Sequence, residues 1–280
     1  MQFSLDTIAA LATVVGTAVS ILALFQSHEW LMLISSLVVC LSLGVGWYAR
    51  QKRMLLNSAA TVVEGYSIDS LNIANLRRTV NRKFTVQAVH HTVRITGEDM
   101  EITWKYTGFC RQNDVSSMEF SLDAEDGTPF ARLKCAAFDL IHDPEMAHPI
   151  RPLLIGTDGI SKKVSVPFLK TLSVNEPFGV QLTCTLPGCI KPGFGYYTST
   201  SSFDQSRIRQ CTVRLIFDRP APKWLRVYDT AVNGSSRLVK TLPPIPSGTD
   251  YSEYVDVIDD RRGQSARIYA FWRDSHENQT

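Results

Sequence analysis

The first forty-nine residues contain no Lys and no Arg. A secretory signal peptide opens on a basic segment, so the start Met1-Gln2-Phe3-Ser4-Leu5-Asp6 argues against one. The chain also lacks a Gly-rich phosphate loop, a His-Glu-x-x-His helix and a nucleophile elbow. Without those motifs the expectation is a protein that is not an enzyme, with no catalytic residue, no metal and no cofactor. Dense basic runs are absent too, which argues against a general nucleic-acid binder. There is no internal repeat and no low-complexity tract. Six cysteines are present. Cys40 lies in an apolar run, and the other five, Cys110, Cys135, Cys184, Cys189 and Cys211, cannot all pair within one chain. Free thiols in a reducing cytosol are the expectation. Cys184 and Cys189 carry no second pair at zinc-site spacing, and two thiols on or beside a strand is the reading preferred.

What the N-terminus does hold is apolar. Two runs, Ile8 to Phe25 and Trp30 to Tyr48, are separated only by Gln26, Ser27, His28 and Glu29. Each approaches the roughly 20 residues that a helix needs to cross a bilayer. Leu31 to Gly46 has no charged residue and no polar face, unlike an amphipathic core helix. The reading is a transmembrane helical hairpin over residues 1–49. Arg50, Lys52 and Arg53 follow the second run, while the connection has no base. The positive-inside rule then places both termini in the cytoplasm, of a bacterial inner membrane. Ala9, Thr13, Gly16, Thr17 and Ser20 share one face of the first helix and suit close helix packing.

Beyond residue 49 the chain holds 29 bases against 25 acids, since only Asp6 and Glu29 precede it. That mild excess suits a domain beside anionic lipid. Residues 50–82 read as a helical stalk, with Leu55, Leu56, Ala59, Val62 and Val63 near helical spacing. Gly65 and Tyr66 break it, and Ser67 or Asp69 could cap a second short helix.

From Phe84 the period becomes two. Met100, Ile102, Trp104 and Tyr106 alternate with Glu101, Thr103, Lys105 and Thr107, as in a half-buried strand. About ten further short strands are marked off by turns such as Thr96-Gly97-Glu98, Asp158-Gly159, Pro187-Gly188, Asn233-Gly234 and Arg262-Gly263. The expected fold class is a membrane-anchored α+β chain, its cytosolic part an antiparallel all-β sandwich or barrel over residues 83–275. A Pro-rich, polar segment at 142–152 could divide that part into two β units.

Three places attract attention as sites. Arg207, Arg209, Arg214, Arg219, Lys223 and Arg226 fall within twenty residues, near Trp224 and Tyr228. Arginine forks beside a ring suit a phosphate and a base, so Arg207, Arg209, Trp224 and Arg226 are the candidate ligand-binding set; a solvated strand face is the plainer alternative. Gly193-Phe194-Gly195-Tyr196-Tyr197 reads as a loop able to present rings. His142, Asp143, Glu145 and His148 read as a solvated loop rather than a metal site. His90 and His91 sit on a strand and must face opposite ways, one exposed and one partly buried.

The two apolar runs with Arg50, Lys52 and Arg53, followed by a stalk and a β domain, resemble the two-transmembrane effectors of bacterial anti-phage systems, retron-type or cyclic-nucleotide-triggered. The resemblance is architectural and carries no site residue over. It implies an inner-membrane effector or toxin whose β domain senses a signal and triggers oligomerisation and membrane disruption. Its partners would be the lipid bilayer, further copies of the chain, and a nucleotide second messenger or a defence-system protein or nucleic acid. The alternative is a binding or scaffold module that uses the hairpin as a passive anchor.

Overall fold

A computed structural model describes Val62–Val63, Tyr66–Ser67 and residues 80–123, 130–158, 161–230, 236–245 and 250–273. The chain divides into two units, Met1–Val63 and Glu64–Thr280. Thirteen strands and one 3-10 turn, Phe130–Arg132, make up the described elements. Val62–Val63 (β1) and Tyr66–Ser67 (β2) are short strands. The expected stalk helix is therefore wrong at Val62 and Val63, whose branched Cβ atoms favour extended backbone over helix.

The α+β, membrane-anchored fold class is corrected to a fold that, among the described residues, is almost wholly β. No helix among the described residues is long and apolar enough to cross a membrane. The expected spans, the packing face Ala9, Thr13, Gly16 and Ser20, and the flanking Arg50, Lys52 and Arg53 lie outside the described residues. A hydropathy count measures apolar content and not the closed helical hydrogen bonding that a span requires. With no such helix found, the two-span inner-membrane topology, the bilayer partnership and the effector resemblance built on them are withdrawn.

The long strands follow from alternation. Phe84–Thr96 (β3) and Asp99–Cys110 (β4) bury alternate residues and join in a hairpin at Gly97, whose φ of +60° suits glycine. Val115–Asp123 (β5), Lys134–Asp139 (β6), Leu153–Asp158 (β7), Ser161–Leu172 (β8) and Pro177–Leu186 (β9) follow. Gly193–Asp218 (β10) runs for 26 residues. After Trp224–Thr230 (β11) and Ser236–Thr241 (β12) comes Tyr251–Arg273 (β13), 23 residues long. The main sheet has the order β12-β11-β13-β10-β3-β4-β9-β6, and a second sheet has the order β5-β8-β7. The expected all-antiparallel arrangement is corrected at one seam. Gln210–Phe217 of β10 pairs with Ala88–Ile95 of β3 in parallel.

A straight strand of 26 residues would reach roughly 85 Å. A domain of about 200 residues has a radius of gyration of only about 16 Å. β10 and its antiparallel partner β13 therefore have to bend, and they do so where their register slips between Ser202 and Arg207. The Gln205 side chain fills the break. Its amide nitrogen donates to the Val86 and Arg207 carbonyls at 2.7 Å, and its carbonyl accepts from Val86 N–H at 2.7 Å. Gly263 lies opposite the bend, and a Cβ there would collide with the carbonyl oxygens of Gln205 and Phe203. Arg262-Gly263 is thus a corner inside one strand and not the turn expected between two. Past the corner, residues distant along the β10–β13 pair meet: Phe217 and Phe271 have ring centroids 4.9 Å apart. The second sheet closes the core through Phe168 against Phe84 and Phe120 against Tyr106.

Cys135 of β6 and Cys184 of β9 stand opposite each other in the ladder, with Cα atoms 4.2 Å apart, and are joined as a disulfide. The free-thiol expectation fails for this pair, because an odd total does not prevent two of five from pairing. Closing a loop of 49 residues stabilises by about 4 kcal/mol in the chain-entropy account.

The corner yields a paired test. Gly263→Ala should cost on the order of 2 kcal/mol or more, because two backbone oxygens must give way. Gly156→Ala, with nothing within 4 Å of its Cβ position, should stay within about 0.5 kcal/mol of wild type. Urea denaturation of the two variants checks this; equal midpoints would show that the corner does not depend on glycine.

Candidate functional site

The four residues nominated from sequence separate into two pairs. Trp224 and Arg226 lie two apart on β11, with the Arg226 guanidinium 4.8 Å from the Trp224 ring centroid. Arg226 is level with Ala270 of β13 and, beyond it, Tyr196 of β10. Arg207 and Arg209 lie thirteen residues or so further along β10, past the corner, exposed and opposite the 261–262 region of β13. The Arg207 side chain makes an exposed ion pair with Asp260 at 3.3 Å. Arg214 is committed to Glu253 through two bonds of 2.6 and 2.7 Å. Shared sequence neighbourhood concealed a register difference, because β10 and β11 are both paired to β13 at different heights.

Gly193-Phe194-Gly195-Tyr196-Tyr197 is the beginning of β10 and not a loop. Gly195 is required by packing, since a Cβ there would enter the Phe271 ring. Tyr197 points inward and is buried.

Its hydroxyl reaches a polar knot between the two halves of the bent sheet. His91 on β3 is 1% exposed. Its Nδ1 lies 2.8 Å from Tyr197 Oη and 3.1 Å from Ser199 Oγ, and its Nε2 lies 3.1 Å from Tyr106 Oη. Arg261 of β13 donates to Ser199 Oγ at 2.7 Å, to Ser199 O at 2.5 Å, to Cys211 Sγ at 3.2 Å and to Ser265 Oγ at 3.1 Å. The bonds close consistently with Nδ1 as acceptor and Nε2–H donating to Tyr106. Burial, then the Arg261 charge, then His90 hold the His91 pKa well below its usual 6.5. Burial likewise raises the Tyr106 and Tyr197 hydroxyls. His91 is thus a neutral pin joining β3, β4 and β10, with β13 added through Arg261, while His90 on the other face is half-buried.

A second buried knot joins β11, β12 and β13. Asp256 accepts from Arg267 at 3.0 Å and from Tyr269 Oη at 2.9 Å. Lys240 Nζ stands 2.5 Å away, a charge contact without hydrogen-bond alignment. Arg267 also bonds Asp229 at 2.7 Å. Asp256 and Arg261 were missed in the sequence, whereas alternation already places Tyr106 on the inward face of its strand. The signal that would find them is parity, since each falls on an inward position of its strand.

The segment from β6 to β7 is held by two carboxylates. Asp139, 1% exposed, accepts from the N–H groups of Ile141, His142 and Leu169 and bonds His142 Nδ1 at 2.9 Å. Burial opposes its charge, but the His142 side chain and these N–H donors outweigh that and lower its pKa. Asp143 accepts from Ala147 and His148 N–H. These acids act as loop caps. Among the described residues no group of three or more His, Cys, Asp or Glu could hold a metal ion.

This segment delivers the chain to β7, the end strand of the second sheet. Leu153, Leu154 and Ile155 are 56%, 43% and 51% exposed. The register with β8 slips between Leu154 and Gly156, so Ile155 is the extra residue of a bulge. A bulge re-aims side chains, which explains three consecutive exposed apolar residues where alternation would expose two. Leu169 and Ile141, tied to the same Asp139 carboxylate, are 51% and 44% exposed nearby.

No family model matches the chain, and no curated protein matches it. Solved structures give weak likenesses. One is a candidate protease from Parabacteroides distasonis, with a TM-score of 0.41, 9% identity, and 68% of this chain covered against 40% of that one. Another is an M1 zinc metallopeptidase from Deinococcus radiodurans, with a TM-score of 0.40, 15% identity, and 68% and 42% covered. The chain thus spans under half the length of these neighbours. Missing motifs do not settle whether a chain is an enzyme, and the expectation that this one is not is withdrawn. At these TM-scores the likeness carries neither fold nor activity to this chain.

The His91 knot gives a pH test. With its folded pKa depressed, its contribution to stability is complete above pH about 6.5 and is lost as pH falls below that value, because the unfolded chain takes the proton first. His91→Gln should flatten this dependence between pH 7.5 and 5 and cost about 1–3 kcal/mol at pH 7.5. Urea titrations at three pH values measure both. Asp139 stays out of this window, since a lowered carboxyl loses its contribution only below the usual 3.8. An unchanged slope in the variant would remove His91 as the cause.

Proposed function

We propose that the β7 edge is a recognition surface that takes up an extended segment of another polypeptide by strand addition. The observation that carries this reading is the run Leu153-Leu154-Ile155, exposed on a strand whose outer side has no partner strand among the described residues. An unpaired edge offers N–H and C=O groups that an incoming strand can satisfy, and exposed side chains beside it supply selectivity. The other edges are guarded in ways proteins use against such pairing. β12 carries Arg237 and Lys240, β5 carries Glu119, and β6 begins at Lys134 and is bridged at Ala137 to Ile150. Between Arg151 and Asp158, β7 has no charged side chain. Pro152, which has no N–H, limits the ladder at its start and so fixes where an added strand begins.

The test uses a fluorescein-labelled octapeptide, Lys-Thr-Val-Thr-Val-Thr-Val-Lys, and fluorescence anisotropy with the full chain. Saturable binding is expected for wild type. Ile155→Lys should weaken it at least ten-fold, whereas Val257→Lys, at a 56% exposed site on β13, should leave it unchanged. No saturable binding by wild type, or equal affinities of the two variants, would overturn the reading.

A further inference from the structure

We propose that the Cys135–Cys184 disulfide is a redox device that sets the order of the β7 edge, an inference that rests on the strand-addition reading for its consequence. β6 is the last strand of its sheet and has one neighbour strand, β9. Apart from that six-residue ladder, its hydrogen bonds run to the segment that precedes β7 and to β8, while Ala137 is buried in the core. Ala137 exchanges two backbone bonds with Ile150, at 2.9 and 2.7 Å. Asp139, the last residue of β6, gathers Ile141, His142 and Leu169, so it couples β6 to both the connecting segment and β8. The covalent link therefore clamps the strand on which the approach to Leu153 is hung. Edge elements with few buried contacts open first when a constraint is removed.

The two sulfurs are not equally placed. Cys184 is fully buried, while Cys135 is half-buried on the edge strand. A dithiol reductant would attack first at Cys135 Sγ. Its thiolate forms a mixed disulfide there, and the Cys135–Cys184 bond breaks. The Cys184 sulfur leaves with the bonding pair and takes a proton. The reductant's second thiol then displaces Cys135, which is also protonated, and the reductant departs as its own disulfide. Two electrons pass from reductant to protein, and two thiols result. Cys110 and Cys211 are free thiols, and both are buried.

The experiment is hydrogen exchange by mass spectrometry on the full chain, oxidised and then reduced with dithiothreitol, with the same octapeptide added in a parallel titration. Reduction should raise exchange at least ten-fold across residues 134–139 and 150–158, leave β3 and β4 unchanged, and weaken peptide binding at least five-fold. Reoxidation should restore both. The double variant Cys135→Ser with Cys184→Ala should show the reduced pattern without reductant. Unchanged exchange over 134–158 would overturn the proposal. So would an equal rise everywhere, which would mean that the bond merely holds the whole fold. Failure of the oxidised chain to bind the peptide would instead remove the strand-addition reading, and the exchange pattern would still decide the redox coupling.

Discussion

The bend in the β10–β13 pair is the constraint on which the other features depend. Two strands of this length cannot stay straight inside a domain of this size, and the slip at Ser202–Arg207 is where the strain of folding them back is relieved. Gln205 replaces the lost ladder bonds, and Gly263 makes room for the crossing carbonyls. Only because the sheet folds over can Tyr197 and Ser199 reach His91, although they are paired to quite different stretches of chain. The polar knot is therefore a product of the corner, and it fixes how the two halves sit upon each other in a way that apolar contacts alone would leave loose.

That knot contains a buried guanidinium whose hydrogen-bond partners among the described residues are hydroxyls, a carbonyl and a thiol, with no carboxylate among them. A second basic group beside it is tolerated only if it is neutral. Burial first and this neighbouring charge second hold His91 uncharged, and its ring serves both as acceptor and as donor among two tyrosines and a serine. The Asp256 cluster shows the opposite solution, with two acids and two bases brought together in one place. Each arrangement keeps the interior free of an uncompensated like-charge contact, by protonation state in one case and by pairing in the other.

Much of the β region was legible because a half-buried strand writes its two faces into the sequence. β3 and β4 lie where alternation put them, and the Gly97 and Gly188 turns have the positive φ that glycine allows. What the sequence did not reveal depends on pairing between distant segments. The merging of short strands into β10 and β13, the parallel seam with β3, the Cys135–Cys184 register and the separation of Arg207 from Arg226 are all non-local. β7 was overlooked for a different reason: its bulge breaks the alternation by which strands are recognised. The helix expected through Val62 shows the converse error, in which helical spacing was read from too few residues to outweigh β-branched side chains.

The same locality explains why the proposed recognition surface and the conspicuous sequence features do not coincide. Clustered arginines draw attention in a sequence, but in the fold Arg207 and Arg214 are met by acids on the neighbouring strand, and Arg226 lies over Trp224. A charge that already has a partner gains little from a ligand, because binding must first undo that contact. Leucines and an isoleucine are unremarkable in a sequence. They become informative only when a bulge turns them to solvent on an unpaired edge, since there the backbone and the side chains both gain from the same incoming strand. A site of that kind is made by the position of a strand in its sheet, and sheet position is the property that local sequence records least.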